Sequence, residues 1–248
     1  MDKIIKILLT FSIFFLIWYF VVTTLKIPNY ILPNPIEVFE SLNTNRSVII
    51  TNSLITLYEA FLGFFIANSV SVLIALGITF NKKIENTIMP FAIILETIPI
   101  IALTPLLVIW FGPGEYSKIA TAALICFFPS LVNVLRGVKS LDRDLVAFFK
   151  AYSANKIQLT KMLIIPSILP YLFAALKVSS SLAVVGALVG EFIGANKGLG
   201  FLIISNYYTL NIPLVFASII TSSLVGIVFY YAIHLVEKRI ITWTTTID

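Results

Sequence analysis

Six mostly apolar stretches, at about 4–25, 50–79, 88–111, 118–138, 167–190 and 213–236, run nearly the whole length of this chain. A helix needs about 20 predominantly apolar residues to cross the hydrocarbon core of a bilayer, so each stretch is long enough to span. The breaks between them are chemically distinct. Pro28, Pro33 and Pro35 interrupt the first connection, and Asn81-Lys82-Lys83 closes the second stretch. Gly112-Pro113-Gly114 marks a turn after the third, and Gly194-Ala195-Asn196-Lys197-Gly198 follows the fifth. Only 12% of the 248 residues are charged and 59% are hydrophobic. A soluble domain carries about 25% charged residues, so lipid must solvate much of this chain. The expected fold is an all-α integral membrane protein with six transmembrane helices, and its length leaves no room for a second globular unit.

The N-terminus has a signal-like look, with Lys3 and Lys6 ahead of an apolar run from Ile7 to Val22. That run is long for a signal core, and Val22-Thr23-Thr24-Leu25-Lys26 offers no small-x-small cleavage site, so a retained first span is expected. Lys and Arg concentrate on the cytoplasmic side of membrane proteins. With the N-terminus inside, twelve of them are cytoplasmic: Lys3, Lys6, Lys82, Lys83, Arg136, Lys139, Arg143, Lys150, Lys156, Lys161, Lys238 and Arg239. Four are outside, namely Lys26, Arg46, Lys118 and Lys197, while Lys177 lies within a span. Both termini are therefore expected in the cytoplasm. The net charge of +5 then follows from topology, and a nucleic-acid partner is superfluous.

The single Cys126 rules out an internal disulfide and reads as a buried structural thiol. His234 has no second histidine with which to build a metal site. No Gly-x-x-x-x-Gly-Lys-Ser/Thr phosphate loop occurs, and no nucleophile, histidine and acid set is available, so an enzyme is not expected. No cofactor is expected either.

The longest cytoplasmic segment, 139–166, is the least apolar part of the chain. Leu145, Phe148, Phe149 and Tyr152 recur at helical spacing, and Asp142 or Asp144 can cap a helix of about ten residues. Ser153-Ala154-Asn155 reads as a bend, followed by a second helix from Lys156 to Ile165 ended by Pro166. Two short helices would make a bracket at the membrane surface. Its aromatic residues suit either the lipid headgroups or a protein partner.

From Ile31 to about Arg239, ordered motifs accumulate. They include Leu32-Pro33-Asn34-Pro35, the run from Thr97-Ile98-Pro99 to Trp110-Phe111-Gly112, and Cys126-Phe127-Phe128-Pro129 with Asn133. Ile165-Pro166-Ser167-Ile168-Leu169-Pro170-Tyr171, Gly186-Ala187-Leu188-Val189-Gly190-Glu191-Phe192 and Gly198-Leu199-Gly200 complete the set. In these the chain resembles the permease subunits of binding-protein-dependent ABC importers, in the branch that carries alkanesulfonates, taurine, nitrate and thiamine precursors. The resemblance implies the type I ABC importer permease architecture. Residues 1–47 would form the first transmembrane helix and outer connection, 48–236 the transmembrane domain with coupling loop 139–166, and 237–248 a cytoplasmic tail. It also implies a multi-pass protein of the inner or plasma membrane whose partners are membrane lipid, two copies of a cytoplasmic ATPase, an extracytoplasmic solute-binding protein and a second permease copy.

In the family, the loop after the fourth span carries a Glu-Ala-Ala, then Gly signature that docks into the ATPase. Aligned on Pro166 and Pro170, the signature falls on Ala147-Phe148-Phe149, with Ser153 at the glycine position. The usual Glu and Gly are both replaced. The expected dock is therefore more hydrophobic, formed by Leu145, Ala147, Phe148, Phe149, Ala151, Tyr152, Ser153 and Ala154. Ser153 would need an unstrained backbone or a left-handed one costing about 1 kcal/mol relative to Gly.

Ionisable groups at membrane depth usually pair or line a water-filled path. Glu59, Glu96, Lys177 and Glu191 lie at that depth. Glu96 precedes Thr97-Ile98-Pro99, where proline bends a helix, and Lys177 is best read as paired to a glutamate. Small residues Ser179, Ser180, Ser181, Ala183, Gly186, Ala187 and Gly190 allow close helix packing within the subunit. In the resembling family this span lines the path between two facing subunits. The candidate path residues are Glu59, Glu96, Asn133, Ser180, Gly186 and Glu191. A largely apolar path with carboxylates suits a neutral or weakly basic heterocycle such as a hydroxymethylpyrimidine. Sulfonates, taurine or nitrate are the alternative cargo, and an ATP-independent secondary transporter is the alternative class.

Overall fold

The computed structural model describes residues 2–242, so the end of the expected tail, 243–248, lies outside the described residues. The described residues form helices joined by short turns. In chain order they are α1 (Asp2–Thr24), α2 (Pro35–Thr44), α3 (Arg46–Phe80), α4 (Lys82–Thr97), α5 (Ile100–Phe111), α6 (Glu115–Lys139), α7 (Arg143–Ala151), α8 (Lys156–Leu159), α9 (Ile165–Glu191), α10 (Leu199–Tyr208) and α11 (Ile212–Ile240). Among these residues four helical stretches are long and apolar enough to cross a membrane, or five if one bent pair counts as a single span.

The bent pair is the expected third span. It does not run straight from 88 to 111: α4 and α5 meet at 103°. Pro99 disfavours the helical conformation at the residue before it. Ile98 is extended, at φ −75° and ψ 124°, and Pro99 at ψ 117° continues the excursion. Two successive extended residues redirect the chain, whereas Pro90 and Pro105 stay inside their helices.

A second correction concerns Pro166, which does not end a short helix. Lys156 to Glu191 is one helical run, passing through a π-helical turn at Thr160–Ile164. There the Ile165 N–H donates to the Thr160 carbonyl, five residues back. This widened turn absorbs what a proline one residue later removes from the ordinary ladder. The second arm of the bracket is therefore the foot of the long helix itself.

The centre of the fold is α6, held between α3 and α9. Gly63 of α3 and Gly186 of α9 both close on Ala122. A Cβ at Gly186 would come within 2.6 Å of the Ala122 Cα, and one at Gly63 within 2.8 Å of the Ile119 carbonyl oxygen. Lipid tails are as apolar as the helices, so close approach and dispersion, rather than hydrophobic burial, hold these helices together. Ala60, Phe64, Ala67, Cys126, Ala183, Ala187 and Phe229 complete this central cluster. The expected burial of Cys126 is met, with its Sγ directed at the Ser179 carbonyl. A buried polar knot lies beside it: Ser130 donates to Asn68 Oδ1 at 2.8 Å, joining α6 to α3. A second cluster, including Ile78, Leu131, Leu135, Ile164 and Ile168, packs the end bearing the bracket. Val38, Ile49, Leu199, Leu202 and Leu214 pack the opposite end.

Candidate translocation path and docking bracket

The bracket starts with Asp142 capping α7, its Oδ1 accepting from the Asp144 N–H at 2.8 Å. Phe148 and Tyr152, one helical turn apart, pack ring against ring with centroids 4.7 Å apart, and both are exposed. Phe149 meets Phe148 edge-on at 6.2 Å and is half-buried. The expected bend is present at Ser153, whose φ of +57° is left-handed. The chain thus keeps, with a serine, the conformation for which glycine is the usual residue. Asn155 then starts α8 through a capping box with Gln158, each side chain accepting from the other's backbone N–H. Leu145, Ala147 and Ala151 lie exposed on α7, with Ala154 half-buried in the turn.

The break between α4 and α5 borders a cavity of about 300 Å³. Glu96 lines it together with Thr97, Ile98 and Pro99, and faces Leu124, Phe127 and Phe128 of α6 and Leu182 of α9. Glu96 itself is exposed.

Glu59 and Glu191 meet elsewhere, at the opposite end of the bundle from the bracket. Both are buried, each carboxyl group lies in the other's field, and Glu59 Oε2 has no hydrogen-bond partner among the described residues. Glu191 Oε1 accepts from the Thr56 hydroxyl at 2.6 Å, and Oε2 accepts from the Gly200 N–H at 2.5 Å. Thr56 Oγ1 in turn accepts from the Leu199 N–H at 2.8 Å, and Asn52 Oδ1 accepts from the Gly198 N–H at 2.6 Å. Three side chains of α3 and α9 therefore hold the first amides of α10, donors that a helix cannot satisfy internally. Gly198 has a φ of +102°, and a Cβ there would overlap the Glu191 carboxylate, so this latch requires glycine.

Lys118, counted among the outer lysines, is only 2% exposed. It lies in the first turn of α6 beneath Gly190, donates to the Pro113 carbonyl, and sits in the field of Glu59 and Glu191. An adjacent cavity of about 370 Å³ is bordered by Tyr58, Glu59, Glu115, Lys118 and Lys197.

The remaining expected site residues are scattered. The Asn133 amide donates to the Pro129 carbonyl at 2.8 Å. The Ser180 hydroxyl donates to the Lys177 carbonyl, and Gly186 is buried against α6. The structure thus brings Glu59 and Glu191 together and keeps Glu96 apart from both. Lys177 is paired as expected, 2.8 Å from Glu237 of α11, with His234 Nδ1 3.3 Å from the same oxygen. Sequence reasoning missed Lys118, Asn52 and Thr56. Polar residues one turn apart, at 52, 56 and 59 in an apolar helix, were the signal for the last two.

Long apolar helices, a bent helix pair bordering a mostly apolar cavity with one carboxylate, and an exposed aromatic bracket fit a membrane permease. The binding-protein-dependent transport system inner membrane components match residues 61–242, and this chain belongs to that family. It is 36% identical over 215 residues, 86% of each chain, to the formylaminopyrimidine transport permease protein ThiX of Halalkalibacterium halodurans. It is 29% identical over 223 residues to a putative aliphatic sulfonates transport permease protein SsuC of Bacillus subtilis, covering 88% of this chain and 80% of that one. Its fold is similar to a chain of the inward-facing MetNI methionine ABC transporter, with a TM-score of 0.64 at 20% identity, covering 78% of this chain and 94% of that one. The chain is a multi-pass inner-membrane permease subunit of an ABC importer.

Proposed function

We propose that this subunit forms the path for a small pyrimidine of the vitamin-precursor type, in a transporter powered by a separate ATPase. The observation that carries the cargo reading is the carboxylate-lined, aromatic-walled cavity at the α4–α5 break, which offers acceptors and no cation to an incoming solute. The name of the ThiX relative points the same way, and that of SsuC keeps a sulfonate as the alternative.

In this reading α1, α3, the α4–α5 pair, α6, α8–α9 and α11 make six crossings, with both termini in the cytoplasm. Residues 1–47 supply the first crossing, 48–236 the transport domain and 237–248 the tail. The bracket within 139–166 docks a cytoplasmic ATPase through Leu145, Ala147, Phe148, Phe149, Ala151, Tyr152, Ser153 and Ala154. Two permease copies assemble with two ATPases, and an extracytoplasmic binding protein delivers the solute. Glu96 lines the path directly, and Asn133 lies one turn beyond Pro129 on α6. Ser180 and Gly186 set the position of α9. Glu59 and Glu191 shape the path's outer end through the α10 latch. ATP drives the cycle only by binding one conformation more tightly than the other.

The test is uptake into membrane vesicles containing the whole transporter, with ATP inside. Expected is ATP-dependent accumulation of an aminopyrimidine and none of an alkanesulfonate. Accumulation of the sulfonate alone would reverse the cargo reading, and accumulation without ATP would remove the importer assembly.

A further inference from the structure

Two prolines, one in the break after α4 and one inside α6, leave a carbonyl without a helical donor beside the same cavity. Proline has no N–H, so the carbonyl four residues before it keeps no helical donor. Pro99 frees the Leu95 carbonyl in this way, and Pro129, inside α6, frees that of Ile125. All four residues border the 300 Å³ cavity that also holds Glu96. In a membrane an unsatisfied backbone carbonyl is tolerated only where it lines a cavity or finds a partner. The residues bordering the cavity therefore carry three acceptors, two neutral carbonyls without a helical donor and one carboxylate, from α4 and α6. Ile100, which also borders the cavity, opens α5, and its N–H has no intrahelical acceptor. Phe127 and Phe128 supply flat apolar walls.

From this we infer that the break cavity is a recognition subsite for a planar heterocycle bearing amino groups. The inference rests on the permease reading and names the chemistry that the path selects. Ring N–H and amino groups donate to Glu96 and to the freed carbonyls of Leu95 and Ile125, a ring nitrogen accepts from Ile100, and the ring face lies on Phe127 or Phe128. The volume lies at the small end of ligand pockets, roughly 300–1,000 Å³, which suits a single ring. A sulfonate meets one N–H donor against two carbonyls and a carboxylate, with no cation to offset them, so the same groups that bind the amine disfavour the anion.

The test uses the purified full chain in lipid nanodiscs and saturation-transfer NMR, with 4-aminopyrimidine as the probe, methanesulfonate as the anionic control and empty nanodiscs as the blank. Saturation transfer is expected to 4-aminopyrimidine and not to methanesulfonate. Glu96→Gln keeps the shape and removes the charge, and should weaken 4-aminopyrimidine about tenfold, the scale of one charge-assisted hydrogen bond. Pro129→Ala improves the helix while returning a donor to the Ile125 carbonyl, and should weaken it severalfold. Unchanged affinity in either variant, binding of methanesulfonate, or no signal from 4-aminopyrimidine beyond the blank each overturns the subsite. ATP-driven uptake by the whole transporter judges the permease reading independently, so failure of the subsite with uptake intact condemns the subsite alone.

Discussion

Ser153 holds a backbone conformation that costs a residue with a Cβ about 1 kcal/mol relative to glycine, and its φ of +57° makes that cost real in the fold. Ser153→Gly should therefore raise the unfolding temperature of the detergent-solubilised chain modestly, and Ser153→Val should lower it, because a β-branched side chain is worse there. A fall with glycine would mean that the serine hydroxyl contributes more than the strain removes. Thr56 is the opposite kind of residue, one oxygen serving two buried partners, Glu191 and the Leu199 N–H. Thr56→Val preserves the shape and leaves both partners unpaired, at about 1–3 kcal/mol for each buried group. Thr56→Ser retains the hydroxyl and should keep most of the stability. Equal thermal stability of the two variants would show that the latch contributes nothing. Lys118 marks the limit of reading charge from sequence. Four residues beyond a Gly-Pro-Gly turn, it looks like an outer-loop lysine, and only the approach of Gly190 from α9 shows that it is covered.

Elements carried more of their own signals. The bracket was legible because Asp142, the 145–152 aromatic spacing and Ser153-Ala154-Asn155 each act within a few residues. The break at Pro99 was legible as a bend, since a proline acts on its immediate neighbours. Its 103° turn was not, because the angle depends on Ile98 and Pro99 both remaining extended. Pro166 misled for a related reason. A π-helical turn is a cooperative adjustment over five residues, and no single residue in Thr160–Ile164 announces it. The geometry also sharpens which aromatics should matter for docking. Phe148 and Tyr152 form the exposed pair, while Phe149 is half-buried. Phe148→Ala with Tyr152→Ala should abolish co-purification of the ATPase from membranes that still contain normal amounts of permease, and Phe149→Ala alone should weaken it less. Retention of the ATPase by the double variant would move the dock off this face.

At the scale of the whole molecule, the crossing of α3, α6 and α9 at Ala122 makes one close-packed centre, and the proposed topology assigns opposite sides of the membrane to the two ends of that centre. The bracket projects from one end, beside the Lys139–Glu85 ion pair. The 194–198 turn, latched by Asn52 and Glu191, closes the other. Helix packing is the same in either orientation, so the positive-inside bias is what favours the bracket lying in the cytoplasm. The chain offers a simple route to a decision, because its only cysteine is Cys126, buried and engaged with the Ser179 carbonyl. In a Cys126→Ala background, Tyr152→Cys and Lys197→Cys place one thiol at each end, at side chains that are exposed. A membrane-impermeant maleimide added to intact cells should label the residue 197 variant and spare the residue 152 variant. Permeabilised cells should label both. Labelling of position 152 from outside would put the bracket beyond the reach of any ATP-bound partner.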